Sequence, residues 1–152
     1  MRVHRIIGIL ALVACPAWAQ VTVQDPWVRA TVPQQNTTGG FMTLISGKDA
    51  RLVSASTPVA GITELHQMTM DNGVMRMRAV PGMDLPAGKP AQLKPGGFHL
   101  MLMDLKRQVK EGEIVPITLV IEEKGGKRFS VEVKAPVRPL GTTAEDHNQH
   151  KQ

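Results

Sequence analysis

The chain is poor in the residues on which several function classes depend. It has one cysteine, Cys15, no tyrosine, two tryptophans and three phenylalanines in 152 residues. A single cysteine excludes an internal disulfide and any site built from several thiolates. Few aromatics and scattered, unclustered basic residues leave no stacking platform for single-stranded nucleic acid, and no nucleic-acid partner is expected. No stretch repeats its apolar residues with a helical period. A nucleophile elbow, a phosphate loop and a zinc-protease motif are all missing, and Ser46, Ser54, Ser56 and Ser130 have no neighbours patterned to activate them. The expectation is a protein that is not an enzyme.

The two ends differ from the middle. Arg2, His4 and Arg5 precede an apolar run from Ile6 to Ala14, and Ala17-Trp18-Ala19 stands before Gln20. That is the pattern of a cleavable signal peptide over residues 1–19, with Gln20 as the predicted mature start. The run is too short to span a bilayer as a helix, so no membrane insertion of the mature chain is expected. Leu12-Val13-Ala14-Cys15 also resembles a lipobox, which would make Cys15 a lipidated first residue; the cleavage site after Ala19 is the better formed of the two. Loss of 19 residues from 152 leaves 133, the size of one domain with its own core. Loss of Arg2 and Arg5 lowers the net charge from +5 to +3. Residues 20–140 are expected to form that domain, and the polar residues 141–152 a flexible tail.

Within the domain, short runs of strand-forming residues alternate with Gly, Pro, Asn and Asp. Strands are predicted at residues 21–23, 27–30, 40–46, 51–56, 62–70, 74–80, 91–93, 98–105, 117–122 and 128–133. Gly125-Gly126 marks a hairpin between the last two, and residues 81–97, rich in proline and glycine, a loop with one short strand. Many short strands at this spacing predict an all-β, antiparallel Greek-key sandwich or barrel.

Against this background one stretch is rich in sulfur and imidazole: His66, Met68, Met70, Met75, Met77, Met83, His99, Met101 and Met103. Asn72-Gly73 between two strand-like runs is a strong signal for a two-residue type I′ hairpin. That turn sets Met70 against Met75, Met68 against Met77 and His66 against Ala79, with His66, Met68, Met70, Met75 and Met77 on one face. Period two likewise puts His99, Met101 and Met103 together, opposite Leu100 and Leu102. Two imidazoles with two or more thioethers and no thiolate suit Cu(I), since thioethers are soft ligands; zinc more often takes Cys or carboxylates. A single methionine is more commonly core filler, but two histidines each with a methionine two residues on favour a metal. A blue-copper electron carrier is excluded, because it needs a thiolate that the mature chain lacks.

The spacing His66-x10-Met77-x21-His99-x-Met101 resembles the motif of the periplasmic copper chaperone family PCu(A)C. Asp25-Pro-Trp-Val-Arg-Ala-Thr31 and Leu93-Lys-Pro-Gly-Gly-Phe-His99 share in the likeness, which covers nearly all of the mature chain. The resemblance implies a cupredoxin-like single domain that binds Cu(I) through His66, Met77, His99 and Met101 and helps load cytochrome c oxidase. Its partner would be an oxidase subunit or another copper chaperone, in the periplasm. Met68 is the favoured auxiliary sulfur. His147 and His150, beside Asp146, are candidates for a weaker Cu(II) site, as imidazole and carboxylate are harder ligands. Two other readings stay open at this level: a copper sink using the same residues, and a structural or interaction module whose methionines only pack.

Overall fold

The computed structural model describes residues 20–143; the predicted signal segment with Cys15, and the tail histidines His147 and His150, lie outside the described residues. The described residues form ten strands and no helix: β1 Val21–Arg29, β2 Thr37–Ser46, β3 Ala50–Ser56, β4 Ala60–Asp71, β5 Val74–Ala79, β6 Met83–Leu85, β7 Pro90–Leu93, β8 Phe98–Leu105, β9 Ile114–Glu123 and β10 Arg128–Arg138.

Two of the predicted elements differ in a way that has a local cause. Residues 21–23 and 27–30 join into the single strand β1, because Asp25 takes φ 52° and the register shifts between Gln24 and Trp27. This bulge places Pro26 where no ladder hydrogen bond is required of it. The loop 81–97 carries a second short strand, β6, in addition to β7. In β6, Met83 pairs with Leu52 of β3 and is only 5% exposed. Met83 is thus a core residue in a different part of the sheet, outside the His/Met cluster in which its sequence position had placed it.

The strands hydrogen-bond in the order β5-β4-β8-β7-β2-β1-β10-β9-β3-β6, with β8 also pairing to β2. Neighbours in space are mostly distant in sequence, the signature of a Greek key. Two pairings, β1 with β10 and β7 with β8, are parallel, so the sheet is not wholly antiparallel as expected. Both parallel contacts are brief: two residue pairs join β1 to β10, and one joins β7 to β8.

Alternation along the strands supplies one core. Val115, Ile117, Leu119 and Ile121 of β9 and Leu100 and Leu102 of β8 are all fully buried. Each such side chain stabilises the fold by roughly 1.5–3 kcal/mol relative to exposure. At Gly40 a Cβ would lie 3.5 Å from both Leu100 and Leu102 and 3.7 Å from Ile117, so β2, β8 and β9 meet there without a gap. With Leu65, Leu100 and Leu102 turned into this core, period two sends His66, His99 and Met101 to the opposite face of the sheet.

Candidate metal centre

The hairpin β4–β5 has the register that its turn dictates. Asn72 and Gly73 both adopt positive φ, 48° and 77°, as a type I′ turn requires. Met70 then pairs with Met75, Met68 with Met77 and His66 with Ala79. On its other side β4 pairs with β8, which sets His66 directly against His99 and Glu64 against Met101. The two imidazole rings are 6.0 Å apart between centroids. Met77 and Met101 flank this histidine row from opposite ends, and Met68, Met77, His99 and Met101 all line one cavity of about 280 Å³. The structure therefore brings the predicted set to one place, with Met68 beside it.

The turn leading into β8 fixes His99. Lys94-Pro95-Gly96-Gly97 is a tight turn in which the Gly97 amide donates to the Lys94 carbonyl at 3.1 Å, and Gly96 adopts φ 82°. Proline at the second position and glycine at the third suit a type II turn. The Gly97 carbonyl at its end accepts two hydrogen bonds, from the Met68 amide at 3.1 Å and from His99 Nδ1 at 3.0 Å. A carbonyl only accepts, so neutral His99 carries its proton on Nδ1 and leaves the Nε2 lone pair free for a metal.

His66 is oriented by a carboxylate. Its Nε2 lies 2.9 Å from Glu64 Oε2, and its Nδ1 is buried without any hydrogen-bond partner. With Nε2–H donated to Glu64, the lone pair sits on Nδ1. An orphaned buried acceptor is costly unless something fills its place, and a metal ion does so. The donor set thus fits Cu(I): two imidazole lone pairs and flanking thioethers. Among the described residues no three His, Cys, Asp or Glu side chains are grouped to hold a metal; the further donors that line the cavity with His99 are the thioethers of Met68, Met77 and Met101.

Beneath the site runs a ladder of rings that sequence reasoning missed. Trp27 stacks on Phe41 at 4.4 Å, Phe41 lies 6.4 Å from His99, and His99 leads on to His66. Trp27 and Phe41 are buried yet stand apart from the main core cluster. The Arg29 guanidinium caps them, 5.8 Å from the Trp27 ring and 5.2 Å from the Phe41 ring, and donates to the Thr142 carbonyl. Burial, together with the positive charge of Arg29 and the neighbouring His66, outweighs the Gly97 hydrogen bond and holds His99 below its usual value of 6.5. The imidazole is kept unprotonated, the form that ligates. Glu64 had a visible signal, a carboxylate two residues before His66 on the same face; Trp27 and Arg29 lie in the Asp25–Thr31 stretch that carries the resemblance, but their meeting with Phe41 and His99 depends on pairing of β1, β2 and β8 and had no local signal.

A larger cavity, about 430 Å³, opens among Asp49, Arg51, Asp84 and the Glu122–Gly126 turn. No histidine or methionine lines it, so it offers no soft donor.

Comparison with known proteins agrees with this architecture. Residues 21–137 match the family described as "Putative lipoprotein LpqE-like". A protein of Leifsonia xyli subsp. xyli described as "Putative lipoprotein Lxx21020" is 31% identical over 139 residues, 83% of this chain and 84% of its own length. An uncharacterised protein of Rickettsia prowazekii is 33% identical, covering 78% of this chain and 68% of its own. The solution structure of Cu(I)-bound DR1885 from Deinococcus radiodurans superposes with TM-score 0.61 at 38% identity over 79% of each chain. The copper-bound PCuAC domain of PmoF2 superposes with TM-score 0.63, covering 80% of this chain and 94% of that one, at 21% identity, a likeness of fold alone. The fold is the cupredoxin-like β-sandwich, and the chain belongs to the LpqE-like family of PCu(A)C domains.

Proposed function

We propose that this protein is a Cu(I) metallochaperone of the cell envelope, holding its ion between His66, Met77, His99 and Met101 with Met68 in reserve. The observation that carries the reading is the pair of free imidazole lone pairs, His66 Nδ1 and His99 Nε2, on directly opposed residues beside a cavity lined by thioethers. The Cu(I)-bound relative DR1885 supports a copper role, and the lipoprotein designation of the family supports export to the envelope.

The chemistry is ligand exchange. Thioethers bind Cu(I) without releasing a proton, and neutral imidazoles add strength. Met77 is 47% exposed, so an acceptor's ligand can replace it first, with His99 held longest by its burial. The ion remains monovalent throughout, and the acceptor we favour is the copper centre of cytochrome c oxidase or a chaperone that serves it.

The test is transfer. Copper-loaded protein is mixed anaerobically with a metal-free copper-binding domain of the oxidase, and the metal content of both is measured after separation. Rapid passage to the acceptor is expected. Retention of copper by this protein, against the acceptor and against a competing chelator, would overturn delivery and identify a sink.

A further inference from the structure

The hairpin carries more sulfur than the inner set uses. Met70 is 65% exposed and Met75 47%, whereas the methionines that fill the core, Met42 and Met83, are 2% and 5% exposed. Met70 and Met75 therefore do no packing work in the core, and an exposed edge strand such as β5, where all six residues are exposed, is ordinarily protected by charge rather than by thioethers. Their placement is specific. The two-residue turn makes Asp71 and Val74 the closing hydrogen-bonded pair, so the alternation of the ladder puts Met70–Met75 and Met68–Met77 in the non-hydrogen-bonded class, where opposed side chains are closest. Cβ atoms in such pairs stand about 4.5–5.5 Å apart, and two flexible thioethers at that separation can converge on one ion. The outer pair shares a face with His66 and lies one pleat repeat, roughly 7 Å, beyond Met68–Met77. On the other face Arg76 pairs with Asp71 at 3.5 Å, so between His66 and the turn the sulfur face of the hairpin carries no Asp, Glu, Lys or Arg of β4 or β5.

We propose that Met70 and Met75 form a second, outer Cu(I) site at the tip of the β4–β5 hairpin, from which the ion passes to and from the inner set by way of Met68 and Met77. The proposal rests on the copper reading of the inner site. In each step one Cu(I)–sulfur bond to Met70 or Met75 breaks as one to Met68 or Met77 forms; the ion stays monovalent and no proton moves, because a thioether has none to lose. Two thioethers alone bind more weakly than the inner set with its imidazoles, which is the order a relay requires: the ion rests inside and leaves by the tip. A purely apolar docking patch would use the same exposed surface but would not need sulfur.

The experiment is an anaerobic Cu(I) titration of the protein carrying 13C-labelled methionine methyl groups, followed by NMR, beside the Met70→Leu/Met75→Leu variant. Leucine conserves volume and apolarity, so docking would survive it and metal binding would not. The first equivalent is expected to shift the Met77 and Met101 methyls. Copper added beyond it is expected to shift the Met70 and Met75 methyls together, and the variant should lose this second phase, keep the first, and release copper more slowly to a chelator. Met70 and Met75 methyls that stay fixed as copper is added beyond the first equivalent, once Met77 and Met101 have shifted, would overturn the outer site alone. Failure of the first equivalent to move Met77 and Met101 would overturn the inner site, and the relay with it.

Discussion

His66 and His99 stand directly opposite each other on β4 and β8, with ring centroids 6.0 Å apart. One ring is held by a carboxylate and the other by a backbone carbonyl, and each has its remaining nitrogen free. Both tautomers are thereby set before any ion arrives, which reduces the ordering cost of binding.

Met77→Leu removes one thioether at a site that is half exposed. The fold should be unaffected, since the swap roughly conserves volume. Cu(I) affinity should fall by about tenfold or more, about 1.4 kcal/mol, measured by competition with a chromophoric chelator. Unchanged affinity would remove Met77 from the ligand set.

Glu64→Gln should weaken Cu(I) binding without weakening the fold. Glu64 is exposed and touches the site through His66 Nε2; partners of this kind are typically worth about 10–100-fold in metal affinity. The same chelator competition, with a melting curve as control, gives the answer. Equal affinity for wild type and variant would mean that the carboxylate does not orient the ring.

Gly39→Ala tests the ring ladder. A Cβ at Gly39 would sit 2.6 Å from Phe41 Cζ, and Phe41 is wedged between Trp27 and His99. Overpacking of this kind costs about 1–3 kcal/mol, read by chemical denaturation, and the displaced ring should also shift the His99 NMR signals. A variant as stable as wild type with unmoved His99 signals would show that the ladder is slack.

The buried His99 gives a pH dependence of definite sign. Its folded pKa lies below 6.5, chiefly through burial. As pH falls below 6.5 the unfolded chain takes up a proton that the folded protein refuses, so metal-free stability declines until pH reaches the folded pKa, and is flat with respect to this group above about 7. His99 also remains competent to ligate at pH values where a free imidazole is already protonated. An NMR titration of the His99 ring in the metal-free protein should find a midpoint below 6.5; a midpoint at or above it would contradict the account.

Much of this site could be read from sequence because its key distances are local. Asn72-Gly73 admits one turn type, and that turn fixes which residues of β4 and β5 face each other. The pairing of His99 with Met101 on one face needs only the two-residue period of a strand. Met83 shows where local reasoning stops: its neighbour is Leu52, distant in sequence, and nothing near Met83 announces that pairing. The Trp27–Phe41–His99 ladder is of the same kind, created by β1, β2 and β8 lying side by side. The two-stretch reading of β1 failed because Pro26 looked like a break, whereas the chain accommodates it with a bulge at Asp25.

The central claim is that the opposed histidines and their thioethers hold Cu(I). Its most direct test is an anaerobic Cu(I) titration against a chromophoric chelator, with the His66→Ala/His99→Ala variant alongside. The account predicts one tight equivalent for the wild type and its loss in a variant that still folds. A folded wild type that takes no copper from the chelator, or a variant that binds as tightly, would contradict it.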